Sequence, residues 1–318
     1  MATPHAELHV HLEGTVLPSR LLRLARRNGQ TLPADTVEGI AALYTFTDFS
    51  HFLDVWNLTT NCLRTAEDFR EITLDYAAQA AGHGARYVEA IFSPAERVIR
   101  GVPFEDLFEG YCTGAAEALD AHGVAVRLTP DLFWTADPDL AEETARWAVR
   151  YADRGIVGLG IGGDEARADP SAYARAFAIA REGGLAVVPH AGEVTGPALV
   201  REVVEVLHPR RIRHGIGAAG DPALVGELRA RGIGLDICPT SNVRTGAVGD
   251  VDAVPLAVLA DAGVAVSIGT DDPAMFGTDL GREHAIAAAH GITPERLWAD
   301  ALRTCAAEPA LVAEMVGW

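Results

Sequence analysis

A chain of 318 residues with 49% hydrophobic content and a formal net charge of −18 buries one large core and suits one (β/α)8 barrel of about 250 residues plus insertions. The acidity argues against nucleic acid as a partner, because phosphate binding needs clustered Lys and Arg, and no apolar run approaches the ~20 residues of a membrane span. All 26 basic residues are arginine, which excludes Schiff-base chemistry through lysine and a metal pair bridged by a carboxylated lysine.

The first residues, Met1-Ala-Thr-Pro-His-Ala-Glu7, have neither the basic region nor the apolar stretch of a secretory signal, so a cytoplasmic location is expected. The first predicted strand, Glu7–His11, carries His9 and His11. Side chains at i and i+2 share a strand face, so two imidazoles stand side by side, as a metal site needs. The competing reading is a half-buried strand that carries two unrelated histidines.

The connection that follows, roughly Leu12 to Arg86, is the longest in the chain. Its aromatic-rich stretch Tyr44–Trp56 predicts a helical insertion at about 40–70. That insertion serves either as a lid over a planar ligand or as a satellite hydrophobic cluster at the barrel mouth. Further strands are predicted at Tyr87–Phe92, Val124–Thr129, Val157–Gly160, Ala186–His190, Arg211–His214, Gly234–Ile237 and Val264–Ile268. Amphipathic helices lie between them, at Asp139–Ala152, Ala172–Glu182, Pro222–Arg231 and Pro255–Ala262. Strict alternation implies a parallel sheet, and eight units imply a closed TIM barrel forming a single domain, 1–318. An open doubly wound sheet would want GxGxxG after the first strand, where this chain has His11-Leu-Glu-Gly14.

Polar chemistry collects at the predicted strand ends: His190 and Glu193, then His214, then Asp271 and Asp272. Barrel enzymes keep their catalytic groups there. Local alternatives exist, since Asp271 or Asp272 could cap a helix opening at Pro273. Cys62, Cys112, Cys238 and Cys305 form no CxxC pair and are expected as packed thiols. His5, His83, His122, His208 and His290 are expected in solvated loops, and His51 in the insertion. Glu165 is expected to support Gly163, and Ser241 and Asn242 to brace the rim.

In this order the segments Leu8–Gly14, Gly163-Asp-Glu165, His190-Ala-Gly-Glu193, Arg213-His-Gly215, Cys238–Asn242 and Ser267–Pro273 resemble the adenosine deaminase family of metal-dependent amidohydrolases. The resemblance spans the chain from first strand to last. It implies one zinc ion per chain, held by His9, His11, His190 and Asp271, and hydrolytic deamination of a 6-aminopurine. It assigns protonation of purine N1 to Glu193, the base that partners the attacking water to His214, a contact at N7 to Asp272, and one at N3 to the Gly163 N–H. His11 and Glu13 are placed beside the substrate.

The choice of purine turns on details. Adenosine deaminases carry Asp where this chain has Glu13, and Glu13-Gly14-Thr15 is closer to relatives that act on free adenine. Phe46–Trp56 and Cys62–Phe69 are similar to those relatives and to 6-aminodeoxyfutalosine deaminases. Gly162–Glu165 and Thr240–Gly246 are similar to nucleoside enzymes, and Val254-Pro255 stands where the family often has His-Pro. The reading favours a 6-aminopurine nucleoside, adenosine first, with adenine and 6-aminodeoxyfutalosine as alternatives. Outside this class stand a metal hydrolase cutting an ester or amide, and a non-catalytic purine-binding protein. A cytidine-deaminase-type fold needs a PCxxC that is absent. A small-molecule substrate is the expected partner, without nucleic acid or membrane; assembly into a homo-oligomer is left open.

Overall fold

Short apolar runs ending in polar residues give, in this computed structural model describing residues 3–318, a ring of parallel strands. They are β1 (His5–His11), β2 (Ala85–Phe92), β3 (Ala125–Phe133), β4 (Gly158–Gly162), β5 (Ala186–Val187), β6 (His190–Ala191), β7 (Arg211–His214), β8 (Gly234–Ile237) and β9 (Val266–Ile268). Each pairing is parallel and follows chain order.

β5 and β6 are two halves of one barrel strand, interrupted at Pro189, which has no N–H to offer the ladder. Hydrogen bonding crosses the interruption: Val188 N donates to Leu159 O at 3.0 Å and Arg213 N to Pro189 O at 2.9 Å. The ring closes where a parallel bridge joins Val10 to Asp271. There His11 N donates to Asp271 O at 2.8 Å and Asp271 N to His9 O at 3.1 Å. Eight strand positions with helices between them make the expected (β/α)8 barrel.

Two strand boundaries differ from expectation in ways that matter. β3 continues past the predicted end at Thr129 to Phe133, because Pro130 keeps its place in register opposite Phe92. The extension brings Asp131 to the barrel mouth. β1 begins at His5, two residues early, so His5 is not a solvated loop residue. Its ring stacks on His284 with centroids 3.6 Å apart.

The long first connection holds four helices: α1 (Pro18–Arg27), α2 (Val37–Leu43), α3 (Phe49–Thr60) and α4 (Ala66–Gly82). α3 starts where the Asp48 carboxylate accepts from His51 N at 2.9 Å, and α4 starts at a Thr65/Asp68 capping box. Both are the expected response of short polar side chains to orphaned N-terminal amides. α3 buries Phe52, Val55 and Trp56. The four cysteines are buried and unpaired. Among the described residues no helix is long and apolar enough to cross a membrane.

At the N-terminal ends of the strands the barrel is plugged by charge. Arg211, fully buried, donates Nε to both Asp236 oxygens at 3.0 Å, Nη2 to Glu89 Oε2 at 2.5 Å and Nη1 to Thr304 O at 2.8 Å. Ser267 Oγ and Tyr87 OH donate to the same two acids, each at 2.7 Å. Removing the cation leaves two buried carboxylates unpaired. Arg211→Met is therefore expected to cost about 3–5 kcal/mol, seen as a lower denaturant midpoint; a shift under about 1 kcal/mol would show that the network adds no stability.

Candidate active site

His9 and His11 share the inner face of β1, as strand alternation requires. The imidazole of His9 turns its Nδ1 to Asp236 O at 3.2 Å, and His190 turns its Nδ1 to Ile161 O at 2.9 Å. Each Nδ1 therefore donates, and each Nε2 presents a lone pair to the interior. These lone pairs face one another: His9 Nε2 and His11 Nε2 each lie 3.2 Å from His190 Nε2. Asp271 Oδ1 completes the group, 3.4 Å from both His9 Nε2 and His11 Nε2.

Lone pairs packed this closely repel unless a cation lies between them. A tetrahedral Zn²⁺ with bonds of about 2.0–2.2 Å spaces its ligand atoms roughly 3.3–3.6 Å apart. The donor set fits such an ion in chemistry, and the separations of His9 and His11 from His190 and from Asp271 match that spacing. Burial pushes the His11 pKa down to about 3, with the His190 and His9 rings adding to the effect. Burial lowers His190 as well. Asp271 is held well below the usual carboxylate range, because His9, His214 and His11 outweigh the opposing effect of burial. Neutral imidazoles and an ionised carboxylate are the forms that bind metal.

Two side chains stand behind these groups. Ser241 Oγ donates to Asp271 Oδ2 at 2.6 Å. Asp131 Oδ2 lies 3.3 Å from His190 Nδ1, and its other oxygen takes Arg213 Nη1 at 2.5 Å. A side chain at Gly160 would overlap both Asp131 and Arg213, so this glycine provides the space for their pair. Asp271 and His214 both have left-handed backbone, with φ of +62° and +57°. Each costs on the order of 1–2 kcal/mol for a side chain with a Cβ.

Glu193 and His214 come next to the cluster, with Glu193 Oε2 3.5 Å from His214 Nε2. Burial raises the Glu193 pKa well above the ordinary carboxylate value, and the charges of Asp271 and Glu165 add to it. This shift favours the acid form of Glu193. Its Oε1 accepts from Thr245 Oγ1 at 3.0 Å. Burial drives His214 well below its ordinary value, with His9 adding to the shift, so the ring is neutral. The Asn242 carboxamide lies 3.1 Å from His214 Nδ1 and by turning over can serve either tautomer.

Glu165 differs from expectation. It accepts from the backbone N–H groups of Glu193, Val194 and Thr195 at 3.1–3.2 Å and from the Thr195 hydroxyl at 2.7 Å. Its role is to fix the loop that carries Glu193. Asp272 stands at the start of the short helix Pro273–Phe276 without capping it. Its Oδ1 accepts from Trp56 Nε1 at 2.9 Å, joining α3 to the site. Burial, then the charge of Asp271, raises Asp272 well above the usual range.

These groups line one cavity: His11, His190, Glu193, His214, Asp271 and Asp272 with Asp131, and Phe49, Phe52, Leu53 and Trp56 from α3. Gly163, in left-handed backbone at φ +89° after β4, lines it too. His9 sits beneath, fully buried. Of the predicted site residues Glu13 is the exception. It is not among the cavity walls; its Oε1 accepts from Ser93 N at 2.9 Å, and Ser93 and Glu96 form the wall there. Glu13 is buried in the one-turn helix Leu12–Thr15 that follows His11 directly, and its Oε2 has no partner. Sequence reasoning missed Asp131 and Glu96, and gave Trp56 no particular role.

A parallel (β/α)8 barrel with a histidine–carboxylate cluster at the C-terminal ends of its strands has the architecture of the metal-dependent amidohydrolases. Residues 4–314 match the family model described as Adenosine deaminase. A curated relative, the aminodeoxyfutalosine deaminase of Acidothermus cellulolyticus, is 56% identical over 93% of this chain and 85% of its own length. The crystal structure of adenine deaminase from Arthrobacter aurescens superposes with a TM-score of 0.93 at 32% identity, covering 99% of this chain and 98% of that one. An amidohydrolase structure from Burkholderia ambifaria, with bound Zn, superposes with a TM-score of 0.87 at 25% identity, covering 99% and 88%. The chain belongs to the adenosine deaminase family. It is a deaminase, an enzyme of the hydrolytic class.

Proposed function

We propose that the protein is a zinc-dependent hydrolase that removes the 6-amino group of a purine nucleoside, with aminodeoxyfutalosine the foremost substrate and adenosine the second. The observation that carries the chemistry is one cavity at which His11, His190 and Asp271, with His9 beneath them, stand beside Glu193 and His214. The 56% identity to an aminodeoxyfutalosine deaminase supports the first substrate over adenosine, the first choice from sequence.

His9, His11, His190 and Asp271 would hold the ion. When bound, Zn²⁺ supplies a Lewis acid that brings the pKa of water from 15.7 towards ~7. Glu193 donates its proton to purine N1, which drains electron density from C6. His214 accepts a proton from the attacking water. Asp272, protonated, donates to N7, and the Gly163 N–H donates to N3. Water adds at C6, and His214 passes the proton it took to the 6-amino nitrogen. The C6–N bond breaks and ammonia leaves, and the C6 hydroxyl proton restores the acid form of Glu193, leaving the 6-oxo purine with its N1–H. The aromatic wall from α3 supports the reading of the insertion as a cover over a planar ring.

Metal-loaded protein should release ammonia from this class of substrate. Comparing kcat/KM for aminodeoxyfutalosine, adenosine, deoxyadenosine and adenine decides the preference, and no turnover on any of them would reject the proposal. Asp131 acts in the same scheme by holding His190 from behind. Asp131→Ala should weaken zinc binding about 10–100-fold, read by competition with a chromophoric chelator; an unchanged affinity would remove Asp131 from the metal's support.

A further inference from the structure

The cavity over the quartet adjoins a second cavity. Four residues belong to both, Leu53, Glu96, Phe133 and Gly163, and they form the passage between them. Glu96 is the only charged residue of the four. Its Oε2 is buried and has no hydrogen-bond partner. The nearest cation, Arg97 Nη2, is 3.7 Å away. Nη2 of that guanidinium donates to Thr60 Oγ1 at 2.7 Å and the group lies over the Trp56 ring at 5.0 Å, while its Nε and Nη1 have no partner. The chain thus keeps a carboxylate with spare accepting capacity on the way out of the site.

The orientation of the purine says what passes this carboxylate. N3 and N9 are both bonded to C4. With N3 at Gly163, the substituent on N9 leaves beside Gly163, in the passage that Glu96 lines. A carboxylate there suits a sugar diol, as the acidic residue of dinucleotide-binding folds takes a ribose hydroxyl. A free base would leave the buried oxygen unpaired, at a cost. Glu13, the acid expected for this duty, accepts from Ser93 N through Oε1 and leaves its Oε2 unpartnered, but it lines neither cavity.

We infer that Glu96 is a specificity-determining residue that accepts the sugar hydroxyls of the substrate, which makes the substrate class N9-glycosylated 6-aminopurines rather than free adenine. The inference rests on the deaminase reading above and adds to it the part of the substrate that this chain selects. The second cavity then receives whatever the sugar carries at its far end.

The test compares adenosine, 2′,3′-dideoxyadenosine and adenine on zinc-loaded wild type, Glu96→Gln and Glu96→Leu, each checked for cooperative melting and one zinc per chain. Wild type should prefer adenosine over its dideoxy analogue by about 10- to 100-fold in kcat/KM, mostly through KM. In Glu96→Leu that ratio should fall to about one, with Glu96→Gln intermediate. Equal use of both nucleosides by wild type, a ratio unchanged in Glu96→Leu, or preference for adenine would each overturn the inference and leave the deaminase reading intact. Failure of wild type on every 6-aminopurine would instead sink the reading beneath it.

Discussion

Glu193→Gln is expected to keep its zinc and to lose about 10²- to 10⁴-fold in kcat, the usual worth of a placed general acid. The substitution is nearly isosteric. It keeps an oxygen for Thr245, which donates to Oε1 at 3.0 Å, and it leaves the loop fixed by Glu165 untouched. What it removes is a transferable proton. Burial and the neighbouring Asp271 and Glu165 raise this group well above its ordinary value, which favours the acid form. KM should change little, because a glutamine N–H can still bond to N1 while the ring stays unactivated. An unchanged kcat would reject the acid role and direct the search to another proton source.

Stripping the metal should have the second large effect. Dialysis against a chelator is expected to remove one equivalent of zinc, to abolish turnover and to lower the melting temperature by several degrees. Adding zinc back should restore both. The stability part follows from linkage, since a ligand at 1,000 times its Kd stabilises the folded state by about 4 kcal/mol. The apoprotein must tolerate three Nε2 atoms at 3.2 Å spacings along His9–His190–His11 and two left-handed residues, His214 and Asp271. Full activity in protein shown to contain no metal would refute zinc dependence.

Much of this was legible in the sequence, because it depended on periodicities that local chemistry sets. The i, i+2 spacing of His9 and His11 needed only a strand. The groups at 190, 193, 214, 271 and 272 needed only strands ending where turn residues begin. What escaped depended on long-range packing. Pro130 looks like a strand terminator, since it lacks an N–H, yet β3 runs through it to Phe133. That hid Asp131. Glu13 looks like a site residue by its place in the motif, but alternation ceases when the chain enters a helical turn at Leu12. Glu96 carries no signal of its own; it reaches the cavity because a short helix, Pro94–Ile99, opens directly after β2. The Glu165 contacts cross 28–30 residues of sequence separation, beyond the reach of any local pattern.

The empty place at Gly160 has an evolutionary meaning. No Cβ fits there while Asp131 and Arg213 are paired beside it. Shortening Asp131 alone would not open the position, because a Cβ at 160 would still meet the Arg213 guanidinium and the Val188 backbone carbonyl. The constraint therefore runs one way. Position 131 can lose its carboxylate while glycine stays at 160, but position 160 cannot gain a side chain unless the strand beside it shifts.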